Sequence, residues 1–132
     1  MKLSTLMVIN AVVAAVFGIA FVLVPGQVIP LYGSAADAPL KSMGQLFGAA
    51  LITLAILTWT ARNASDSEAR RSIVLALFLG HIVGFIVSLL AQLAGVYNAL
   101  GWSTVVIYLL LVLGFGYFQF SKPASGQVAG QG

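Results

Sequence analysis

The side chains able to do chemistry are few, and most fall within long apolar runs. His81 is the sequence's single histidine. On a helix it shares a stripe with Gly84, Ser88 and Gln92, which follow it at helical spacing. Counted inward from one side of a membrane, Thr53 falls at about the depth of His81, Asn10 somewhat shallower and Tyr108 somewhat deeper. An imidazole among hydrocarbon side chains supports two readings. It bonds to Asn10, Thr53 or a backbone carbonyl and holds helices together, or it serves a ligand or a proton along a polar path through His81, Ser88 and Gln92. Gln45 and Gln92 lie towards the opposite ends of their runs, near Asn98 in depth. They are expected to make amide hydrogen bonds between helices in a small polar cluster, to reach interfacial water, or to line a shallow outward pocket roofed by the loop around Tyr32.

Other chemistry is poorly supplied. Asp37, Asp66 and Glu68 are the only acids. All three are placed as helix caps or loop residues, so no pair can divide acid and base roles. No Ser-His-acid set and no phosphate-binding glycine loop is available. One histidine with no cysteine and no buried carboxylate cannot supply a metal site or a haem site. The expectation is therefore no catalytic residue, no metal, no cofactor and no enzymatic activity.

The elements that position these residues follow from composition. The chain has 132 residues, of which 61% are hydrophobic and only 7% charged, with a mean hydropathy of +1.07. Soluble domains carry about 25% charged residues, so this chain cannot cover a water-facing surface. Six basic residues against three acids are too sparse for a nucleic-acid groove. The remaining class is an integral membrane protein whose first partner is the lipid bilayer. Crossing roughly 30 Å of hydrocarbon takes about 20 apolar residues in a helix, because each backbone N–H and C=O must be paired internally. Four runs meet this, over about 4–24, 40–61, 72–94 and 102–120. The expected fold is all-α: a polytopic, antiparallel bundle of four transmembrane helices in one domain over 1–120. The first run is longer than the roughly 7–15 apolar residues at the centre of a typical signal peptide, and reads as an uncleaved anchor. The segment 121–132, rich in Gly, Ser, Ala and Gln, is expected to be disordered.

Local signals sharpen the boundaries. Asp37 precedes Ala38-Pro39 as an N-cap, Ser65 and Glu68 have capping-box spacing, Gly95 is placed to end the third span, and Asn98 to cap the fourth. Pro25 to Asp37 is the one connection long enough for structure of its own, and it should lie along the interface. Lys2, Arg62, Arg70, Arg71 and Lys122 flank the spans on one side, and only Lys41 on the other. The bias of basic residues then puts both termini in the cytoplasm. Small residues at four-residue spacing mark packing faces: Ala76, Gly80, Gly84 and Ser88 in the third span, Gly44 and Gly48 in the second. Packing within the bundle is the expected use of these ridges, with self-association of copies as the alternative.

Several segments read together resemble a family of small bacterial four-helix membrane proteins known only as a domain of unknown function. They are Pro25 with Leu31-Tyr32-Gly33; Leu46-Phe47-Gly48-Ala49-Ala50-Leu51; Trp59-Thr60-Ala61-Arg62; Ala69-Arg70-Arg71; Gly95-Val96-Tyr97-Asn98-Ala99-Leu100-Gly101-Trp102; and Gly114-Phe115-Gly116-Tyr117. The resemblance spans about residues 10–120. It implies the topology and a bacterial inner-membrane setting, and brings no activity, cofactor or catalytic residue. The function expected first is that of a non-enzymatic structural or accessory subunit, as a homo-oligomer or in a larger membrane complex. The alternative is a small oligomeric transporter or ligand-binding protein with a polar path near His81.

Overall fold

A computed structural model of the chain describes residues 1–121, so Lys122 and nearly all of the segment expected to be disordered lie outside the described residues. The described residues form five helices and no strand: α1 (Leu3–Leu23), α2 (Pro25–Leu31), α3 (Ala38–Ala61), α4 (Glu68–Leu93) and α5 (Gly101–Phe120). All but α2 are long and apolar enough to cross a membrane. Their outward faces carry exposed Val12, Val16, Leu79, Val83, Leu110 and Leu113. Such a surface is unfavourable in water and at home among acyl chains.

Chain chemistry sets the ends of the helices. Pro25 cannot continue α1, since it lacks an N–H, but its fixed φ suits the first position of α2. What read as a loop along the interface thus contains a short helix. The Asp37 carboxylate accepts from the Leu40 N–H at 2.8 Å and caps α3. Ser67, rather than Ser65, caps α4 by accepting from the Arg70 N–H at 3.1 Å. Gly95 ends α4 with φ +74, a left-handed conformation that costs glycine nothing. The Gly95 N–H then reaches the Gln92 carbonyl and the Val96 N–H the Ala91 carbonyl, a Schellman closure. Asn98 acts just before α5: its side-chain oxygen accepts from the Leu100 N–H at 3.0 Å.

Packing divides the long helices into two pairs, α1 with α3 and α4 with α5, and the pairs meet each other sparingly. In the first pair, backbones touch. A Cβ on Gly48 would sit 2.7 Å from the Gly18 carbonyl oxygen, and one on Gly18 would sit 2.9 Å from the Gly48 oxygen. In the second pair, glycine makes room for side chains: Gly84 faces the ring of Tyr108, and Gly116 that of Phe78. The two pairs close on each other at one end, where Leu6, Met7, Ala61, Val74, Leu77, Leu111 and Phe115 form the buried apolar core.

The ridge expected on α4 is corrected. Gly80 and Ala76 are exposed, and a Cβ on Gly80 would meet nothing within 4 Å. At 3.6 residues per turn, a four-residue step overshoots a full turn by about 40°, so a ridge at that spacing winds off the interface within a few steps. The face that packs is Val74, Leu77, His81, Gly84 and Ser88, with alternating steps of three and four residues.

Candidate functional site

Away from the apolar core the two helix pairs separate around a cavity of about 490 Å³. Its floor is Asn10 of α1 with His81 of α4. Phe21, Phe47, Ser88 and Tyr108 line its walls, and Tyr32, Ser34, Tyr97 and Thr104 its mouth. Asn10 and Phe21 stand eleven positions apart on α1, which at 1.5 Å per residue makes the cavity roughly 16 Å deep. No Lys, Arg, Asp or Glu side chain lines it.

His81 is held at the floor from two sides. One ring nitrogen, Nδ1, lies against the carbonyl of Leu77 one turn earlier, and the other, Nε2, lies 3.0 Å from the Asn10 carboxamide oxygen on α1. The ring stacks on Phe115 (centroids 5.5 Å apart, planes at 17°) and is tilted against Tyr108 at 5.9 Å. From Asn10 the chain of bonds continues: its Nδ2 donates to the Thr58 hydroxyl at 3.4 Å, which donates to the Leu54 carbonyl at 2.8 Å. These groups tie α4 to the α1–α3 pair, which α4 otherwise meets sparingly.

The proton inventory of this network has two solutions. A carbonyl only accepts, so Nδ1 carries a hydrogen. In a neutral ring Nε2 is then an acceptor and requires the Asn10 amide nitrogen opposite it. In an imidazolium Nε2 donates, and the Asn10 oxygen belongs there. The two arrangements differ by one proton on the ring and by half a turn of the carboxamide, which also reverses the Asn10–Thr58 bond so that the hydroxyl donates to the Asn10 oxygen.

The mouth is tied across the pairs by Asn98. Its Nδ2 donates to the Leu31 carbonyl at 2.9 Å, and its backbone N–H to the Tyr32 carbonyl at 3.0 Å. Tyr32 and Tyr97 meet edge to face at 6.0 Å.

The sequence-derived candidates divide accordingly. Asn10, His81 and Ser88 come together around the cavity. Thr53 does not: it is exposed, its hydroxyl donating to the Ala49 carbonyl, and the threonine of the network is Thr58, which bonds to Asn10. A five-residue difference turns a helical side chain by about 140°, so equal depth does not mean equal facing. Gln45 and Gln92 do not form a cluster. Gln45 donates to the Val22 carbonyl within the first pair, whereas Gln92 donates to the Asn98 carbonyl within the second. Its oxygen is buried with no hydrogen-bond partner among the described residues. Gly44 and Gly48 are buried as packing residues and Gly84 lies under Tyr108, but Gly80 does not pack. Sequence reasoning missed Thr58 and gave Tyr108 no role. Thr58 had a signal: stepping four and three residues alternately from Gly44 reaches Gly48, Leu51, Ala55 and Thr58, the register of a packed helix face. Among the described residues, no group of three His, Cys, Asp or Glu side chains assembles as a metal site would need.

No curated protein and no solved structure matches the chain. The family model for Domain of unknown function (DUF8292) matches residues 1–119, and the chain belongs to that family.

Proposed function

We propose that this member of an uncharacterised family is a membrane-embedded binding protein for a lipophilic small molecule, and that it catalyses nothing itself. The observation that carries this reading is the cavity between the two helix pairs. At about 490 Å³ it falls in the range of roughly 300–1,000 Å³ typical of small-molecule sites. Its walls are apolar and aromatic, with a few polar groups at floor and mouth. A hollow of this size also forfeits packing, which is the main force between helices in lipid. A purely structural bundle gains nothing from it. An accessory role in a larger complex fits the same reading, as a subunit that holds a lipophile for its partners.

The proposed setting is a bacterial inner membrane, with four antiparallel spans and both ends in the cytoplasm. The basic residues around α3–α4 and at Lys2 support this orientation. The cavity mouth then faces the outer leaflet and the His81 floor lies deeper. A periplasm-dependent reporter fused after Gly132 should be silent, and activity there would reverse the orientation. Binding is tested by native mass spectrometry of protein released from mild detergent. A bound lipophile is expected on the wild type. It should be absent from Val13→Trp and Ile107→Trp, which place bulk in the cavity, provided helical content is unchanged by circular dichroism. Equal occupancy of wild type and filled variants would refute a site in the cavity.

A further inference from the structure

Tyr108 is a cavity residue to which the hydrogen-bond network at the floor assigns no work. Its ring lies over Gly84, close enough that a Cβ there would be 2.2 Å from Cε1, and beside His81. Its hydroxyl makes no hydrogen bond among the described residues, although the side chain is half-buried and lines the cavity. A hydroxyl taken from water into apolar surroundings without a partner costs roughly 1–3 kcal/mol by protein mutational data. The neighbouring polar groups are already committed. Ser88 donates to the Phe85 carbonyl, His81 is held by Leu77 and Asn10, and Thr58 donates to Leu54. The phenol is thus a free donor on a wall whose other hydroxyl, that of Ser88, is already bonded.

From this geometry, and resting on the binding reading above, we infer the chemistry of the occupant: an uncharged lipophile whose carbonyl oxygen accepts a hydrogen bond from Tyr108 Oη. Its hydrocarbon body would lie along the facing wall of Phe17, Phe21, Met43, Phe47 and Leu51 on α1 and α3. With His81 as the neutral imidazole, the lining has no cation to pair with a carboxylate or phosphate, and no acidic side chain to pair with an amine. A charged group would therefore be desolvated without compensation. A bare hydrocarbon would fill the walls but leave the phenol unpartnered. A ketone or ester satisfies both.

The test uses three photoreactive probes of equal chain length: a long-chain methyl ketone, the corresponding hydrocarbon and the corresponding fatty-acid anion. Each is cross-linked to the full chain in mild detergent, and labelled peptides are identified by mass spectrometry. The ketone should label cavity residues such as Val87 and Ile107 with about three- to tenfold higher apparent affinity than the hydrocarbon, the value of one net hydrogen bond. The anion should be weakest. Tyr108→Phe, which keeps the ring on Gly84, should bring the ketone down to the hydrocarbon's level and leave the hydrocarbon unchanged. Equal affinity of ketone and hydrocarbon on the wild type would overturn the inference, as would a ratio unaffected by Tyr108→Phe, or a preference for the anion. Those results would leave the cavity itself a binding site. Failure of all three probes to label it would remove both readings.

Discussion

The two helix pairs use glycine for opposite ends. In α1 and α3, Gly18 and Gly48 let one backbone rest on the other, and the contact has no slack. In α4 and α5, Gly84 leaves a recess that an aromatic ring fills. One pair is a rigid wall, and the other carries His81, Ser88, Thr104 and Tyr108, half of the polar side chains that line the cavity. Asn10 is the exception, the one polar side chain that α1 contributes to the cavity, and it bonds across to His81. The difference teaches that a small residue in a membrane helix marks a close approach without saying what approaches.

If the wall is as rigid as its geometry implies, Gly48→Val should be the most damaging single change. Its Cβ would press on the Gly18 carbonyl oxygen, which belongs to backbone and cannot swing aside. Overpacking typically costs 1–3 kcal/mol and occasionally more, and here about 3 kcal/mol or above is expected. Unfolding by titration of a denaturing detergent into mild micelles should show a largely disassembled α1–α3 pair under conditions where the wild type is folded.

The second pair should yield more readily. Gly84→Ala also clashes, but with the ring of Tyr108, the movable end of a side chain. A cost of about 1–2 kcal/mol by the same titration is expected, at the low end of overpacking because the ring can rotate away. The displaced ring should also blunt any preference for a carbonyl probe. A loss as large as that of Gly48→Val would erase the distinction between wall and recess.

The link between the pairs comes next. His81→Leu leaves the Asn10 carboxamide without its partner on α4, and Asn10→Leu does the converse. Each should cost about 1 kcal/mol, in keeping with interhelical hydrogen bonds in bilayers. The double variant should cost less than their sum, because both lose the same bond. His81→Gln, which keeps a hydrogen-bonding group facing Asn10, should cost little. Strict additivity in the double-mutant cycle would mean that the 3.0 Å contact does not couple the helices.

How far the sequence could be read follows from these cases. Four long apolar helices, the Asp37 cap and the Gly95 stop were legible because each rests on a local rule: run length, a capping oxygen, a left-handed glycine. Asn10 as a partner of His81 was legible because depth and polarity narrowed the choice. Thr53 failed as a partner because depth carries no azimuth, and the facing of α3 depends on where Gly44 and Gly48 pack. The expected meeting of Gln45 and Gln92 failed for a longer-range reason. The two residues lie on different pairs, and nothing local reports that α3 pairs with α1 and α4 with α5. The cavity is a property of that pairing, so no single segment could announce it.

The smallest effect is the most diagnostic for the stripe of small residues on α4. Gly80 faces open space, so Gly80→Ala meets no neighbour in the chain and gains helix propensity of about 0.8–1.0 kcal/mol measured in water. Within a bilayer the unfolded alternative is already helical, so the gain should shrink to a few tenths, neutral or slightly stabilising. Ala76 lies exposed one turn earlier on the same side of α4. If Gly80→Ala instead weakens the assembled protein, while leaving the isolated monomer in detergent as stable as before, then something outside this chain rests on that face. The same residue that fails as a packing position within one copy would then serve between copies. Sedimentation of wild type and Gly80→Ala in matched detergent separates the cases: identical mass distributions keep the stripe a lipid-facing surface, and a shift towards monomer assigns it to contact with a second protein.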